Sequence, residues 1–303
     1  MIDRANSTSG FGHGKVILLG EHAVVFGQPA VAAGIAAGVR AHASPGSGAL
    51  SAPAWGLDAQ VGDDSLPGQA VGRLLECLHI EASSFDFWLE AEVPARAGLG
   101  SSAAMAVAIA RAIASRTGAA DADVFAAAAA AESVFHLTPS GIDAAAASRG
   151  RLGSFDKQNG WRDLPLKSPF ELCIGLSGQS HDTGTLVASV ADLCAGTKVA
   201  RRLVEVMGDL ARAGMDALAA GDTPALARMF NMAHGLLSGV GVSSPELDEL
   251  VHLARSAGAQ GAKLTGAGGG GAVIAIAAEH SDEVLHRWRA KGYYGFLTTI
   301  GHD

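Results

Sequence analysis

Cysteine is scarce in this chain. The three present, Cys77, Cys173 and Cys194, are odd in number and form no C-x-x-C pair. That argues against a disulfide framework or a zinc site and suits a reducing cytoplasm. Positive charge is also in short supply: 22 Lys and Arg face 30 Asp and Glu, a net charge of −8. No basic field therefore invites nucleic acid or an anionic membrane, and a phosphorylated ligand would need a local positive site. Long apolar runs are missing too. The most apolar stretches are Ala-rich and broken by Arg111 or Glu132, and Met1 to Gly10 is polar without an apolar core. Neither a targeting segment nor a membrane span is expected. No period of about 20–50 residues repeats, which leaves out a solenoid.

What is plentiful is glycine, 40 of 303 residues, in a composition that is 49% hydrophobic and 17% charged. Such a chain buries a large core and makes many tight turns, as two domains or one large one. Its most informative glycines lie in Pro94-Ala95-Arg96-Ala97-Gly98-Leu99-Gly100-Ser101-Ser102-Ala103-Ala104-Met105. Before this stretch, Phe85 to Val93 alternates apolar and polar, the period of a half-buried strand, and Pro94 ends it. After it, Ala103 to Ala114 is built from strong helix formers, with Ser101 or Ser102 placed to cap the helix. A turn without bulky side chains that feeds a helix N-terminus offers N–H groups and the positive end of a dipole, which suits phosphate. The same glycines also suit a plain tight turn that lets a helix pack closely on a sheet.

Elsewhere, Lys15 to Leu19 reads as a buried strand that runs into a polar interruption at Glu21-His22. Charges interrupting an apolar segment need a partner or a ligand. Gly14-Lys15 does not make a Walker A loop, because no glycine stands five residues before Gly14 and Val16 replaces the Ser or Thr. Lys15 is then either functional or a surface lysine at a strand start. Val31 to His42 reads as a hairpin partner, and Ala43 to Pro67 as loops and short irregular strands of the kind that border sites. Helical spacing predicts helices over Gln69 to His79 and Asp121 to Phe135, the second holding Glu132 alone among small residues, solvent-facing by default. Thr138-Pro139-Ser140-Gly141-Ile142-Asp143 makes a turn that puts Asp143 at a helix start, where an N-terminal charge role is the simplest alternative. After Gly150 the texture changes, marking a boundary between two halves. Glu171 to Leu176 then reads as a buried strand, Ser180 to Gly184 as a turn, with helices from Leu186, Ala200 and Thr223. Ser243-Ser244-Pro245-Glu246 predicts another helix start, with Pro245 first in the helix and Glu246 closing a capping box with Ser243. Gly266 to Gly271 is a glycine run that leads into a strand, and Gly98-x-Gly100-x-x-Ala103 is too isolated to make a dinucleotide fingerprint.

Taken together, Lys15 to Ala30, Val93 to Ala104 and Lys263 to Ala272 resemble, in order and spacing, the three signature motifs of the galactokinase, homoserine kinase, mevalonate kinase and phosphomevalonate kinase (GHMP) superfamily. Lys15-Val16-Ile17-Leu18-Leu19-Gly20-Glu21-His22-Ala23-Val24-Val25-Phe26-Gly27 is similar to the K-V-I-L-x-G-E-H-A-V-V-x-G signature of its mevalonate kinase branch. Pro139 to Asp143 resembles that branch's P-S-G-[IV]-D segment, and Gly239-Val240-Gly241-Val242-Ser243 its later L-G-V-S turn. The resemblance implies a two-domain α/β (α+β) GHMP kinase fold. Residues 1–160 would form a ribosomal-protein S5 domain 2-like N-terminal domain and residues 161–303 a ferredoxin-like C-terminal domain.

The activity the resemblance implies is ATP-dependent, Mg2+-assisted phosphorylation of the 5-hydroxyl of mevalonate for isoprenoid synthesis. The enzyme would be cytoplasmic, with no nucleic-acid or membrane partner and with a homodimer left open. Such a transfer needs a phosphate cradle, a metal on the terminal phosphates and a group that takes the hydroxyl proton. The backbone of Ala97, Gly98, Leu99, Gly100, Ser101, Ser102 and Ala103 would be the cradle, and Ser102 with Glu132 would hold the metal. Asp143 would be the base, with Lys15 beside it to keep it ionised. Glu21, His22, Thr183, Gly266, Ala267 and Gly268 would line the acceptor site. Three departures stand out. Arg96 occupies a position of the phosphate loop that is normally small, and points either toward the phosphates or outward. Ala272 replaces a common cysteine. His181 and Gly184 replace basic residues around the retained Thr183. The acceptor is therefore less fixed than the kinase activity. Phosphomevalonate, the 3-hydroxyl of mevalonate or a sugar remains an alternative acceptor. A catalytically silent homologue is a further alternative, opposed by the joint presence of Lys15, Ser102, Glu132 and Asp143.

Overall fold

The computed structural model describes residues 6–135, 141–180 and 182–301; Thr138, Pro139, Ser140 and His181 lie outside them. β1 (Thr8–Leu19) leads through a 3-10 turn at Ala23–Phe26 to β2 (Ala30–Pro45), the short strands β3 (Ala49–Ala52) and β4 (Leu57–Gln60), helix α1 (Leu66–Cys77) and β5 (Phe85–Ala91). Three helices follow, α2 (Ser101–Thr117), α3 (Asp121–Phe135) and α4 (Ile142–Arg149), then β6 (Leu152–Asp156), β7 (Gly160–Asp163) and β8 (Phe170–Leu176). The chain continues through α5 (Thr183–Gly196), α6 (Lys198–Ala220), α7 (Thr223–Gly239) and α8 (Pro245–Ser256). It closes with β9 (Gly261–Thr265), β10 (Ala272–Ile276), α9 (Ser281–Ala290) and β11 (Tyr294–Ile300).

These elements form two compact units. The first takes Met1–Gly14, Ala37–Ala95 and Gly100–Gly150; the second takes Lys15–Ala36, Arg96–Leu99 and Arg151–Asp303. In the first unit, β5 pairs antiparallel with Val39 to Pro45 of β2 and parallel with β3, and β3 pairs antiparallel with β4. Helices α1 to α4 pack on one another. The backbone of β1 comes so close to α2 that a Cβ on Gly12 would lie 2.1 Å from the Ala104 carbonyl oxygen, and one on Gly10 2.3 Å from that of Ala108. Only glycine fits there, and the Ala-rich inner face of α2 is the counterpart that permits the approach. Arg111 on α2 donates to the carbonyls of Phe11 and Ser148, both at 2.6 Å, and so fixes β1 and the end of α4 to the same helix.

In the second unit a four-stranded antiparallel sheet runs in the order β11-β8-β10-β9. Its core gathers Cys173, Val251, Leu250, Val273 and Trp288, whose indole N–H donates to the Leu250 carbonyl at 2.9 Å. The first residues of β2, Ala30 to Ala33, pair with β6, which forms a hairpin with β7. All three cysteines are free, two buried and Cys77 exposed. Among the described residues no helix is long and apolar enough to cross a membrane.

Two helix starts differ from expectation. α2 begins two residues earlier than its composition suggests, and its N-cap is Gly100 in the left-handed region (φ 72) with no side-chain cap. Ser101 and Ser102 therefore lie inside the first turn, and neither occupies the N-cap position. At α8 the cap is Ser244, which accepts from the Leu247 N–H. Ser243, expected to form the box with Glu246, donates instead to Asp248 at 2.6 Å, while Ser244 donates to Glu246.

Candidate functional site

In the second unit three loops lie against one another. The Lys15 N–H donates to the Leu99 carbonyl at 2.9 Å, which holds the Arg96–Leu99 turn to β1. A Cβ on Gly98 would lie 3.6 Å from the Thr265 carbonyl oxygen, and one on Gly271 would lie 3.2 Å from that of Ala97. The first glycine turn thus runs along the second. Thr265 joins β9 to β1: its hydroxyl accepts from the Ile17 N–H at 2.9 Å and donates to the Ile17 carbonyl at 3.0 Å. The Gln179 carbonyl accepts from the Gly271 N–H at 2.8 Å, four residues before half-buried Thr183 opens α5.

Glu21 and Lys263 form an ion pair in the middle of this assembly, 2% and 0% exposed. The Lys263 ammonium also donates to the Ile17 carbonyl at 3.3 Å and lies 5.7 Å from the centre of the Phe230 ring. Burial pushes the Glu21 carboxyl up and the Lys263 ammonium down, and each is opposed by its partner's charge. Sequence reasoning gave Lys263 no role. The signal was a lysine inside an otherwise small and apolar strand and an acid inside an apolar run, each needing an opposite charge.

His22 is nearly buried and sits at φ 58, left-handed backbone that a non-glycine residue seldom adopts. Its Nε2 lies 2.9 Å from the Ala267 carbonyl, so Nε2 carries the proton and donates. Its Nδ1 is buried with no hydrogen-bond partner among the described residues. Burial holds the imidazole below the usual histidine range, and it stays neutral. A buried, neutral acceptor nitrogen is suited to a hydroxyl donor of a ligand.

The remaining expected residues are divided between the units, Arg96 to Leu99 in the second and those from Gly100 to Asp143 in the first. Gly98 and Gly100 are both left-handed (φ 75 and 72), as is exposed Arg96 (φ 59), so the turn before α2 carries strain at the position where a small residue was expected. Ser101 and Ser102 are half-buried in the first turn of α2, and Ala103 is buried behind them. Glu132 is 4% exposed on α3. Asp143 lies in the first turn of α4, whose N-cap is Gly141 at φ 82, again without a side-chain cap. α3 packs on both α2 and α4, and α2 on α4. Among the described residues no cluster of three or more His, Cys, Asp or Glu could cage a metal ion. A hydroxyl and one carboxylate nevertheless suit Mg2+, which keeps waters and completes its shell with phosphate oxygens.

Comparison with known proteins gives a family model described as GHMP kinases N terminal domain over residues 65–151 and one described as GHMP kinases C terminal over residues 215–293. A mevalonate kinase of Methanothermobacter thermautotrophicus is 33% identical over 287 residues, covering 91% of this chain and 93% of its own. One from Aeropyrum pernix is 35% identical over 279 residues, covering 87% and 86%. Among solved structures, L. major mevalonate kinase in complex with R-mevalonate matches with a TM-score of 0.85 and 28% identity over 97% of both chains.

Proposed function

The chain belongs to the GHMP kinase family, and from that premise we propose that it transfers the terminal phosphoryl group of ATP to the 5-hydroxyl of mevalonate. The observation that carries this reading is full-length similarity: relatives that are mevalonate kinases match at 33% and 35% identity over most of both chains. A nucleotide as phosphate donor follows from the family, and a cytoplasmic location goes with the reading.

In this mechanism the backbone N–H groups from Ala97 to Ala103 take the phosphates, and the open start of α2 adds the positive end of its dipole. Ser102 and Glu132 would hold Mg2+, which when bound neutralises charge on the transferring group. Asp143 accepts the proton of the attacking hydroxyl. Lys15 would supply a positive charge that stabilises the developing alkoxide. His22, with Nδ1 available, accepts a hydrogen bond from the acceptor, while Gly266, Ala267 and Gly268 bring backbone close to it. Glu21, held by its ion pair with Lys263, anchors the turn that carries its chain neighbour His22. Thr183 opens the helix on the acceptor side.

The test is turnover of ATP and Mg2+ with a panel of alcohols: mevalonate, phosphomevalonate, homoserine and galactose. Mevalonate is expected to give the highest kcat/KM, with the new phosphate on O5 by phosphorus NMR. A higher kcat/KM for any other member of the panel, or phosphate on O3, overturns the assignment.

A further inference from the structure

The turn at Gly239 to Ser243 matched a family motif yet has no part in the chemistry above. The Val242 carbonyl accepts from the Gly269 N–H at 2.8 Å, and a Cβ on Gly268 would lie 2.0 Å from that same oxygen. The turn is thus seated directly on the second glycine loop. The next residue, Ser243, donates its hydroxyl to Oδ1 of Asp248 on α8 at 2.6 Å. The same Oδ1 lies 3.2 Å from Nε2 of His234 on α7. On its other side, His234 Nδ1 accepts from the Leu264 N–H of β9 at 3.4 Å.

This arrangement fixes the tautomer. Nδ1 accepts from a backbone N–H, so Nε2 carries the proton and donates to the carboxylate. A second proton on Nδ1 would face the Leu264 N–H. Burial, reinforced by the Arg255 guanidinium, holds His234 down at about 4, so the neutral form persists. Arg255 itself donates to the Ala262 carbonyl at 2.9 Å, one more tie from α8 to β9. One carboxylate, Asp248, therefore governs both ends of the segment from Leu264 to Gly269. Midway along that segment is Ala267, whose carbonyl holds His22.

We infer that His234, Asp248 and Ser243 are positioning residues that set the glycine loop and, through Ala267, the His22 ring for the acceptor alcohol. This rests on the reading of that loop as part of the mevalonate site. The three touch no reacting atom. Their effect is on where Ala267 and His22 stand, so loss of the network weakens acceptor binding more than it slows the chemical step.

The experiment compares Asp248→Ala with Asp248→Asn, which keeps an oxygen able to accept from both Ser243 and His234. Expected for Asp248→Ala is a rise of about tenfold in KM for mevalonate, with kcat within about threefold and KM for ATP little changed. Asp248→Asn should bring KM back to within about threefold of the parent. Hydrogen exchange at the Leu264 and Gly269 amides, measured without substrates, should quicken in Asp248→Ala and not in Asp248→Asn. A merely structural role predicts a lower Tm with KM unchanged and kcat falling with the folded fraction, and that result overturns the inference, as does unchanged exchange. If Asp248→Ala does not fold, Ser243→Ala, which removes one of the two donors, is read by the same KM and exchange criteria. Should the parent protein fail to phosphorylate mevalonate, the proposed function falls, while the exchange comparison still decides whether the network holds the loop.

Discussion

Helices α2 and α7 begin in opposite ways. At α7 the Asp222 carboxylate accepts from the Ala225 N–H at 2.8 Å, and the starts of α1, α5, α6 and α8 are closed in the same manner by Ser65, Asp182, Thr197 and Ser244. α2 starts from a left-handed glycine with neither a side-chain cap nor an acid in its first turn. α3, α4 and α9 carry first-turn acids, so among the described helices α2 alone has neither device. A cap and an anionic ligand compete for the same N–H groups. Doing without a side-chain cap forgoes about 1 kcal/mol of stability, and in the proposed mechanism the phosphates take that place.

That contrast can be broken most sharply at α4. If Asp143 were only a helix-start charge, Asp143→Asn would cost about 0.3–1 kcal/mol and leave turnover alone. As the base, its loss should lower kcat by about 10²–10⁴-fold with Tm nearly constant, measured by ADP release and thermal melts. A smaller effect is expected at the far end of α3. Glu132 stands near that helix's C-terminus, where a negative charge opposes the dipole, so it is not there for helix stability. Glu132→Gln should cut kcat by roughly 10²-fold and move the Mg2+ titration to higher concentration without lowering Tm; an unchanged titration removes it from the metal site. Next comes the experiment that makes α2 resemble its neighbours. Ser101→Asp puts an acid in its first turn, which should raise stability by a few tenths of a kcal/mol while raising KM for ATP about tenfold. A KM for ATP that does not move would mean the phosphates are held elsewhere. The smallest effect is the converse: Asp222→Ala opens α7, costs about 1 kcal/mol in denaturant titration and leaves both KM values as they were.

Much of this was legible in the sequence because it is local. The bounds of α3 follow from composition and the first-turn acids, and β5 and its glycine turn follow from alternation and Pro94. The position of Ser244 rather than Ser243 as the α8 cap could not be read, since both serines fit and the choice turns on Asp248 capturing the first. The serine cap expected at α2 failed for a related reason: propensity ranks Ser above Gly at a helix start, but the left-handed backbone at Gly100 overrides it. β6, β7, α9 and β11 were not anticipated, because their short mixed segments lack a strong period and depend on pairing with distant strands. The links that build the site, Lys15 to Leu99, His22 to Ala267 and His234 to Leu264, join residues far apart in the chain. Only at Glu21-His22 did residue type hint that a partner was needed, without saying which.

The Glu21–Lys263 pair also constrains how this chain can change. Removing one partner leaves a desolvated charge, a loss of about 3–5 kcal/mol against a total stability of about 5–15 kcal/mol. Replacing both by apolar residues of similar volume can be nearly neutral. A lineage that alters either position alone must cross that deficit, so two sites 242 residues apart are inherited as a single character. In a library randomised at both, folded survivors would carry the original pair or a joint replacement, and hardly any would carry half of one.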